Sequence, residues 1–274
     1  LPGWTMTSYS RLSSEVTASE AGEQEESRTV LVPLAEDFRS PLSFPRGSAA
    51  GTCLHNLLEQ LDCNRPTSDQ HALIAEVLEQ GGIDPRWQEA VAQWLEEILA
   101  VELPDACALG QIASQDRINE LNFLFPLEEM DMHRFAALLA EAGFRAPEIT
   151  QPRLRGLMKG FIDLVFRFQG RFFLVDYKSN YLGPSLADYG PEALDACMDS
   201  HQYHLQLLIY TLALHRFLAA RLPDYDYDRH FGGATYCFLR AMGPMQPPPQ
   251  GVYALRPERQ LILALDDCCR GGRG

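Results

Sequence analysis

Two apolar stretches separated by Gln169-Gly170 constrain the fold of this chain more than any other part of its sequence. The first stretch runs over residues 159–168 and the second over 171–180, and both are rich in β-branched and aromatic residues. Such residues favour β-strands, and a Gln-Gly dipeptide between two strands is typical of a tight turn. The sequence therefore predicts a β-hairpin.

Two carboxylates and a lysine interrupt the apolar background of this hairpin. Asp163 lies on the first strand, whereas Asp176 and Lys178 lie two residues apart on the second and so project from one face. Asp163 can face them from the neighbouring strand. Carboxylates that converge on an apolar sheet repel each other, and their desolvation is costly unless a cation holds them together. Oxygen ligands of this kind suit Mg²⁺ or Mn²⁺, and a lysine beside them can face a substrate phosphate as a point charge.

The alternative is that Asp176 and Lys178 simply lie on the solvent face of a strand, as charged residues usually do. The D-x-K triplet alone does not decide between the two interpretations. The hydrophobic strand around it and the presence of Asp163 one strand earlier favour the metal site. Because the two carboxylates would repel, we expect that removing Asp176 leaves the fold intact.

The pattern G-F-I-D-L-V-F, a short turn and D-Y-K-S-N resembles the active-site hairpin of the PD-(D/E)xK nuclease superfamily. More narrowly it resembles the RecB branch, the nuclease domain at the C-terminal end of the RecB subunit of RecBCD (exodeoxyribonuclease V). Further segments resemble that domain in its order: Thr7–Ser10, Phe44–Gly47, Gly51–His55, Tyr210–Arg216, Asp224–Tyr227 and His230–Gly233. The resemblance covers nearly the whole chain and thins between about Asn64 and Ala146. Ile162 stands where the superfamily label expects proline, and the second acid is Asp176 where it is often glutamate; the RecB branch makes the same choices.

The resemblance implies an α/β fold of three layers, the restriction-endonuclease-like fold, with a mixed central sheet flanked by helices. It implies an exodeoxyribonuclease that depends on Mg²⁺ and hydrolyses phosphodiester bonds during double-strand break processing, DNA repair and homologous recombination. Mn²⁺ is the expected substitute, and Ca²⁺ is expected to bind with little cleavage. The implied partners are DNA, as single strands or unwound duplex ends, RecC- and RecD-like subunits, and RecA.

Family motifs also place residues from outside the hairpin at the site. The metal-binding histidine of a G-x-x-x-H motif maps onto His55, and the carbonyl of Tyr177 is implied as a backbone ligand. The glutamate of an E-x-x-F pattern, which lies close to the metal in the family, maps onto Glu120. From the residues alone, a structural role for His55 and a solvent-facing position for Glu120 remain open.

A Q-x-x-x-Y motif maps onto Gln206 and Tyr210, which four-residue spacing puts on one helix face. In the family this pair borders the catalytic hairpin and the DNA backbone. The resemblance thus implies catalytic roles for Asp163, Asp176, Lys178, Glu120, Gln206 and Tyr210, and metal ligation by His55, Asp163, Asp176 and Tyr177.

The charge of the chain bears on how it meets DNA. With 37 acidic against 23 basic residues, the formal charge of −14 has the wrong sign for a protein that holds DNA by its own field. We therefore expect weak DNA binding by the chain alone, as in a nuclease domain supplied by a basic channel elsewhere in a larger assembly. A second class of function stays open: a catalytically silent nuclease fold that serves as an interaction module for RecA or a sister subunit. The complete set of site residues argues against it.

Other sequence features narrow the remaining classes. The chain has no P-loop, so ATP hydrolysis is not expected, and its seven cysteines show no C-x-x-C spacing, which disfavours an iron–sulfur cluster. We find no apolar run long enough to cross a bilayer and no signal peptide, and expect a cytoplasmic protein without membrane contact. The chain begins without methionine, and we expect it to be a fragment.

Composition and periodicity predict the organisation of the chain. Residues 1–46 are expected to form a largely polar, flexible linker, 47–270 the nuclease domain, and 271–274 a frayed tail. Helices are predicted over 51–62, 69–80, 84–101, 130–142, 191–221 with a break near Ser200, and 257–267; further strands are predicted over 117–126, 234–240 and 252–255. The apolar face of the helix over 84–101 is interpreted as core rather than as a partner surface.

Overall fold

The computed structural model describes residues 5–8, 38–149, 151–243 and 250–272. Its helices are α1 (Ser48–Gln60), α2 (His71–Gln80), α3 (Gln88–Ala100), α4 (Met132–Glu141), α5 (Pro191–Ser200), α6 (Tyr203–Ala219), α7 (Tyr227–His230) and α8 (Arg259–Cys269). Its strands are β1 (Thr5–Ser8), β2 (Arg117–Asp131), β3 (Arg153–Phe168), β4 (Arg171–Lys178), β5 (Phe231–Phe238) and β6 (Val252–Leu255).

The predicted hairpin is confirmed as β3 and β4, which pair antiparallel. Gln169 and Gly170 connect them with φ angles of 47° and 79°. Two consecutive residues with positive φ form the kind of turn whose twist matches that of the flanking strands. The turn therefore fixes the register that brings the two halves of the site together.

The sheet is mixed and is organised around β3. Its strands follow the order β1-β3-β4-β5-β6, and β2 pairs antiparallel with β3 along nearly the whole strand. Because β2 occupies one edge of β3, β1 and β4 must share the other edge: β1 pairs with 156–159 and β4 with 164–168. In the described residues, a gap of four residues, 160–163, separates these two neighbours.

Helices cover both faces of the sheet and confirm the predicted three-layer α/β fold. Helices α1, α2 and α3 enclose one hydrophobic core against one face, and α4, α5, α6 and α8 enclose a second core against the other. The apolar face of α3 lies in the first of these cores, as predicted, with Trp87, Val91, Trp94, Leu95 and Ile98 all buried.

Most predicted elements are present with shifted ends. The break near Ser200 is confirmed, because α5 ends there and Gln202 adopts a φ of 55° before α6 begins. Strand β2 continues to Asp131, beyond the predicted end, through an irregularity in its pairing after Leu127. The short strand β1 was not predicted, since four residues give too little pattern to recognise.

The predicted linker, 1–46, lies mostly outside the described residues, and so does the end of the predicted tail. Two pieces of the linker are described. Strand β1 pairs with β3, and Phe44 is buried against the rings of Trp87 and Trp94. The division of the chain into linker, domain and tail stays a prediction. None of the helices in the described ranges has the length and apolar character needed to span a membrane.

Candidate active site

Along β3, the alternation of side chains between the two faces of the sheet is interrupted at Asp163. Ile162 belongs to the core under α6, whereas Leu164, two residues later, belongs to the core under α1. On a regular strand, residues two apart share a face. The register of β2 and β3 places Glu120 across from Asp163, and Glu120 has a φ of 49°. This irregularity puts Asp163 within reach of both helical layers.

The Asp163 carboxylate meets groups from two elements. Its Oδ2 accepts the backbone N–H of Tyr177 at 2.7 Å, just beyond the last regular pair of β3 and β4. The Nδ1 atom of His55, on α1, lies 3.4 Å from the same oxygen. The structure thus brings His55 to the hairpin, as the G-x-x-x-H motif implied.

Gly51 explains how α1 comes so close. A Cβ atom at Gly51 would lie 2.8 Å from the Oγ atom of Ser179, the residue after Lys178. A side chain at Gly51 would require either the Ser179 hydroxyl or α1 to shift.

Asp176 and Lys178 form a buried ion pair. Lys178 Nζ lies 2.6 Å from Asp176 Oδ2, and the two side chains are 11% and 4% exposed. Apart from this ammonium group, no hydrogen-bond donor reaches Asp176 Oδ2 among the described residues. Lys178 Nζ also donates to Gln206 Oε1 at 2.9 Å. The ammonium group is therefore held between the hairpin and α6.

Gln206 is fixed by three neighbours, which explains the Q-x-x-x-Y motif. Its Oε1 also accepts the hydroxyl of Tyr236 at 3.0 Å, and its Nε2 donates to the hydroxyl of Tyr210 at 3.1 Å. Lys178 Nζ lies 4.0 Å from the centre of the Tyr203 ring, a further favourable contact for a cation. Gln206 thus orients the lysine while its other end binds Tyr210.

Burial and mutual repulsion set the charge states of the site. The pKa of Asp163 is raised well above its ordinary value, first by burial and then by the charge of Asp176. Burial, with the charges of Glu59 and Asp176, raises the pKa of Glu120. Burial alone would lower the pKa of Lys178, but attraction to Asp176 outweighs it and the pKa is raised, so the lysine stays charged.

His55 has the opposite tendency, since burial lowers its pKa despite the charge of Asp176. Its ring is therefore neutral near pH 7 and keeps a lone pair. A neutral imidazole and carboxylates are the chemical groups that bind divalent cations.

The donor set fits a divalent cation in its chemistry. In the described part of the chain, the buried Asp176 Oδ2 has no partner besides the Lys178 ammonium, and it lies in the same site as the Asp163 carboxylate, which Asp176 repels, and the neutral His55 ring. In the described ranges, no three His, Cys, Asp or Glu side chains are gathered closely enough to form a ready-made metal cluster. Tyr177 contributes its N–H to Asp163, and a ligand role for its carbonyl stays a prediction.

Two residues that complete the site were missed by sequence reasoning. Tyr236 stands beside Asp176 in the parallel pairing of β4 and β5, and Tyr203 lies under Lys178. The pairing of β4 with β5 is the signal that would have found Tyr236, and sequence periodicity does not supply it.

Arg240 joins the end of the hairpin to the segment before α1. This buried side chain donates to the backbone carbonyls of Ser179, Pro41, Phe44 and Pro45. It thereby holds the residue that follows Lys178 against the start of the α1 layer.

Comparison with known proteins shows the family of the chain. The model of the PD-(D/E)XK nuclease superfamily matches residues 34–266. The chain belongs to this superfamily. Within the superfamily it is a RecB-like nuclease domain, similar to RecBCD enzyme subunit RecB of Escherichia coli strain K12, with 37% identity over 99% of the chain and 24% of that relative. RecB of Haemophilus influenzae is 38% identical over 85% of the chain and 19% of the relative, and RecB of Mycobacterium tuberculosis is 34% identical over 98% and 29%. The chain thus spans about a quarter of the length of the curated relatives it matches.

Proposed function

We propose that this domain hydrolyses phosphodiester bonds in DNA with the help of Mg²⁺, as an exodeoxyribonuclease within a RecB-like helicase–nuclease subunit. The single observation that carries the proposal is the Asp163–Asp176–Lys178 constellation. Within the described residues, the buried Asp176 Oδ2 has no partner besides the Lys178 ammonium, and burial with the charge of Asp176 raises the pKa of Asp163. With both carboxyl groups ionised, such a site would hold more negative charge than its one lysine balances, and the raised pKa of Asp163 reflects that repulsion together with burial. The residues therefore favour a bound cation, and the cation together with Lys178 would attract a phosphate.

Asp163, Asp176, His55 and the carbonyl of Tyr177 would hold the cation. When bound, Mg²⁺ would lower the pKa of a water molecule and polarise the scissile phosphate. Mn²⁺ would substitute for Mg²⁺, while Ca²⁺ would bind with little cleavage because it prefers a different geometry. Glu120 would take part through water or at a second ion.

Lys178 would orient the attacking water and stabilise the charge that develops on the phosphate oxygens. Its raised pKa keeps it an ammonium group, so it acts as a charge and a hydrogen-bond donor rather than as a base. Burial and nearby carboxylates raise the pKa of Tyr210, whose hydroxyl keeps its proton. Because this hydroxyl already accepts a bond from Gln206, its own proton is available to a backbone phosphate.

The names of the relatives support the wider role. Their name, RecBCD enzyme subunit RecB, supports RecC- and RecD-like subunits as partners. Beyond what that name says, the domain would work on DNA ends during double-strand break processing and recombination, with RecA as a further partner. The charge of −14 is consistent with a domain to which other subunits deliver the DNA.

The test is degradation of linear DNA by the purified chain with Mg²⁺, Mn²⁺, Ca²⁺ or EDTA. Cleavage should appear with Mg²⁺ and Mn²⁺ only, and Asp176→Asn should abolish it. The matched control is Asp116→Asn, which removes a carboxylate that pairs with Arg167 near the turn end of the hairpin. Cleavage by Asp176→Asn at the wild-type rate would refute the site, and an inert wild-type chain in every cation would favour the silent interaction module.

A further inference from the structure

The sheet face next to the active site carries an open strip of apolar and basic side chains. Within the described part of the chain, α1 reaches the β2 strand only at its start, where the Glu59 carbonyl accepts from Asn119 and the Leu61 carbonyl accepts from Arg117. Beyond that point, no described helix lies over the outward side chains of β2 and β3 on this face. The strip consists of Asn122, Leu124, Lys159 and Phe161, all of them exposed.

The four side chains of this strip form two cross-strand pairs. Asn122 stands opposite Phe161, and Leu124 stands opposite Lys159. Leu124 and Phe161 are 57% and 44% exposed, unusually high values for large apolar residues. Lys159 Nζ lies 5.5 Å from the centre of the Phe161 ring, so the cation and the aromatic face lie side by side.

The strip leads into the active site. Phe161 precedes Asp163 by two residues on β3, a distance of roughly 7 Å along a strand. In a chain of charge −14, Lys159 is one of only two lysines, the other being the buried Lys178. Lys159 has no carboxylate partner among the described residues. An exposed aromatic ring beside an unpaired cation is the arrangement with which proteins bind unpaired bases and their phosphates.

We propose that this strip is the path of single-stranded DNA to the active site, with one unpaired base stacked on Phe161 and its phosphate beside Lys159. This inference rests on the proposed nuclease function and deepens it, since it assigns Phe161 and Lys159 to binding of the DNA strand that the site would cut. A base within a duplex is stacked on both sides and offers no free face to Phe161. The path therefore discriminates against intact duplex at this step.

The two lysines permit a direct binding test that needs no cleavage. The chain is methylated at lysine with ¹³C-formaldehyde under reducing conditions, and the Lys159 methyl signal is followed by NMR in EDTA. Oligo(dT) should shift this signal, and a matched oligonucleotide of abasic sites should shift it only at higher concentration. Phe161→Leu should weaken oligo(dT) binding by at least about fivefold, the low end for one base–aromatic stack, and should abolish the preference for bases.

The controls use matched contacts elsewhere on the protein. Phe217→Leu removes an aromatic ring that also lies beside a cation, with Arg221 3.8 Å from the ring centre. It should leave oligo(dT) binding unchanged. For Lys159→Gln, which lacks the methylated lysine, binding is followed by the fluorescence anisotropy of labelled oligonucleotides. By that measure Lys159→Gln should weaken binding of oligo(dT) and of abasic DNA equally, and Arg171→Gln, at the turn end of the hairpin, should weaken neither.

Two results would overturn the path. One is a Lys159 signal that does not respond to oligo(dT) at millimolar concentration, which would leave the strip to a protein partner. The other is a Phe161→Leu variant that keeps the preference for bases over abasic sites. Failure of the proposed function is separate: oligo(dT) bound through Phe161 without any Mg²⁺-dependent cleavage would refute the nuclease proposal and leave the path intact.

Discussion

Replacing Lys178 by methionine in the metal-free protein should lower the free energy of unfolding by about 3–5 kcal/mol. The substitution keeps the length of the side chain and removes its charge. It leaves Asp176, whose side chain is 4% exposed, without the ammonium group that lies 2.6 Å from its Oδ2 atom. An uncompensated buried charge is costly because it has lost water and gained no partner in exchange.

The converse substitution, Asp176→Leu, should lower the free energy of unfolding by a similar amount. It removes the carboxylate beside Lys178 and leaves Gln206 as the remaining side-chain hydrogen-bond partner of the lysine. The relief of repulsion with Asp163 reduces this cost without cancelling it. The double variant Lys178→Met/Asp176→Leu should lose far less than the sum of the two, since apolar residues often replace a buried ion pair at little cost. We expect a coupling free energy of at least about 2 kcal/mol.

Urea denaturation in EDTA at neutral pH would measure these free energies for the wild type, both single variants and the double variant. Lys159→Met is the control, because it removes the other lysine from an exposed position and should change stability by no more than about 0.5 kcal/mol. Single-variant effects that add up to the double-variant effect would refute the reasoning. The pair would then contribute nothing beyond its separate members.

Three further predictions concern the stability of the protein around the site. Because the pKa of Asp163 is raised, the folded metal-free protein should lose stability as pH rises above 3.8, the ordinary pKa of aspartate. In thermal unfolding from about pH 4 to 8, Asp163→Asn should remove that loss. An unchanged dependence of the melting temperature on pH would contradict this reasoning. Glu120 has a φ of 49°, which glycine adopts easily and a β-branched residue does not. Glu120→Gly should therefore keep the free energy of unfolding within about 0.5 kcal/mol of the wild-type value, whereas Glu120→Val should lower it by about 1–2 kcal/mol. Equal urea midpoints for the two variants would show that the backbone relaxes. Arg240→Met should lower the free energy of unfolding, measured in urea, by about 3 kcal/mol or more, because four backbone carbonyls lose the planar group that donates to them. Arg240→Lys should restore little of this stability. Full recovery with lysine would show that the positive charge alone matters.

The hairpin was predictable because its information is local. Their β-branched and aromatic residues predict the strands, Gln169-Gly170 predicts the turn, and the turn fixes the register that places Asp163 near Asp176. Family motifs then added His55 and Gln206, which lie far from the hairpin in sequence and whose positions no periodicity could supply.

The energetics of the site were not predictable in the same way. From the sequence, Asp163 and Asp176 were two repelling carboxylates, so removal of Asp176 was expected to leave the fold intact. The structure puts Lys178 and Asp176 in direct contact in a buried position, and the expected cost of losing Asp176 follows from that contact. Two residues on one face of a strand can point together or apart, and packing under α6 decides which.

The backbone conformation of Glu120 was not predictable from the sequence either. A glutamate inside a run of β-forming residues predicts an ordinary strand position, and the left-handed φ arises from the change of faces at Asp163. Tyr236 was missed for a related reason, because its place beside Asp176 depends on the parallel pairing of β4 with β5.

Among the described residues, the four-residue gap between β1 and β4 along β3 has a consequence for strand addition at this one edge. An open strand edge invites another chain to add to the sheet, and proteins usually cover or shorten such edges. Here the opening at 160–163 is bounded at both ends by strands that already pair with β3. A foreign β-strand would find too few backbone groups in line to extend the sheet. Backbone next to the carboxylates can therefore stay accessible without becoming a template for aggregation.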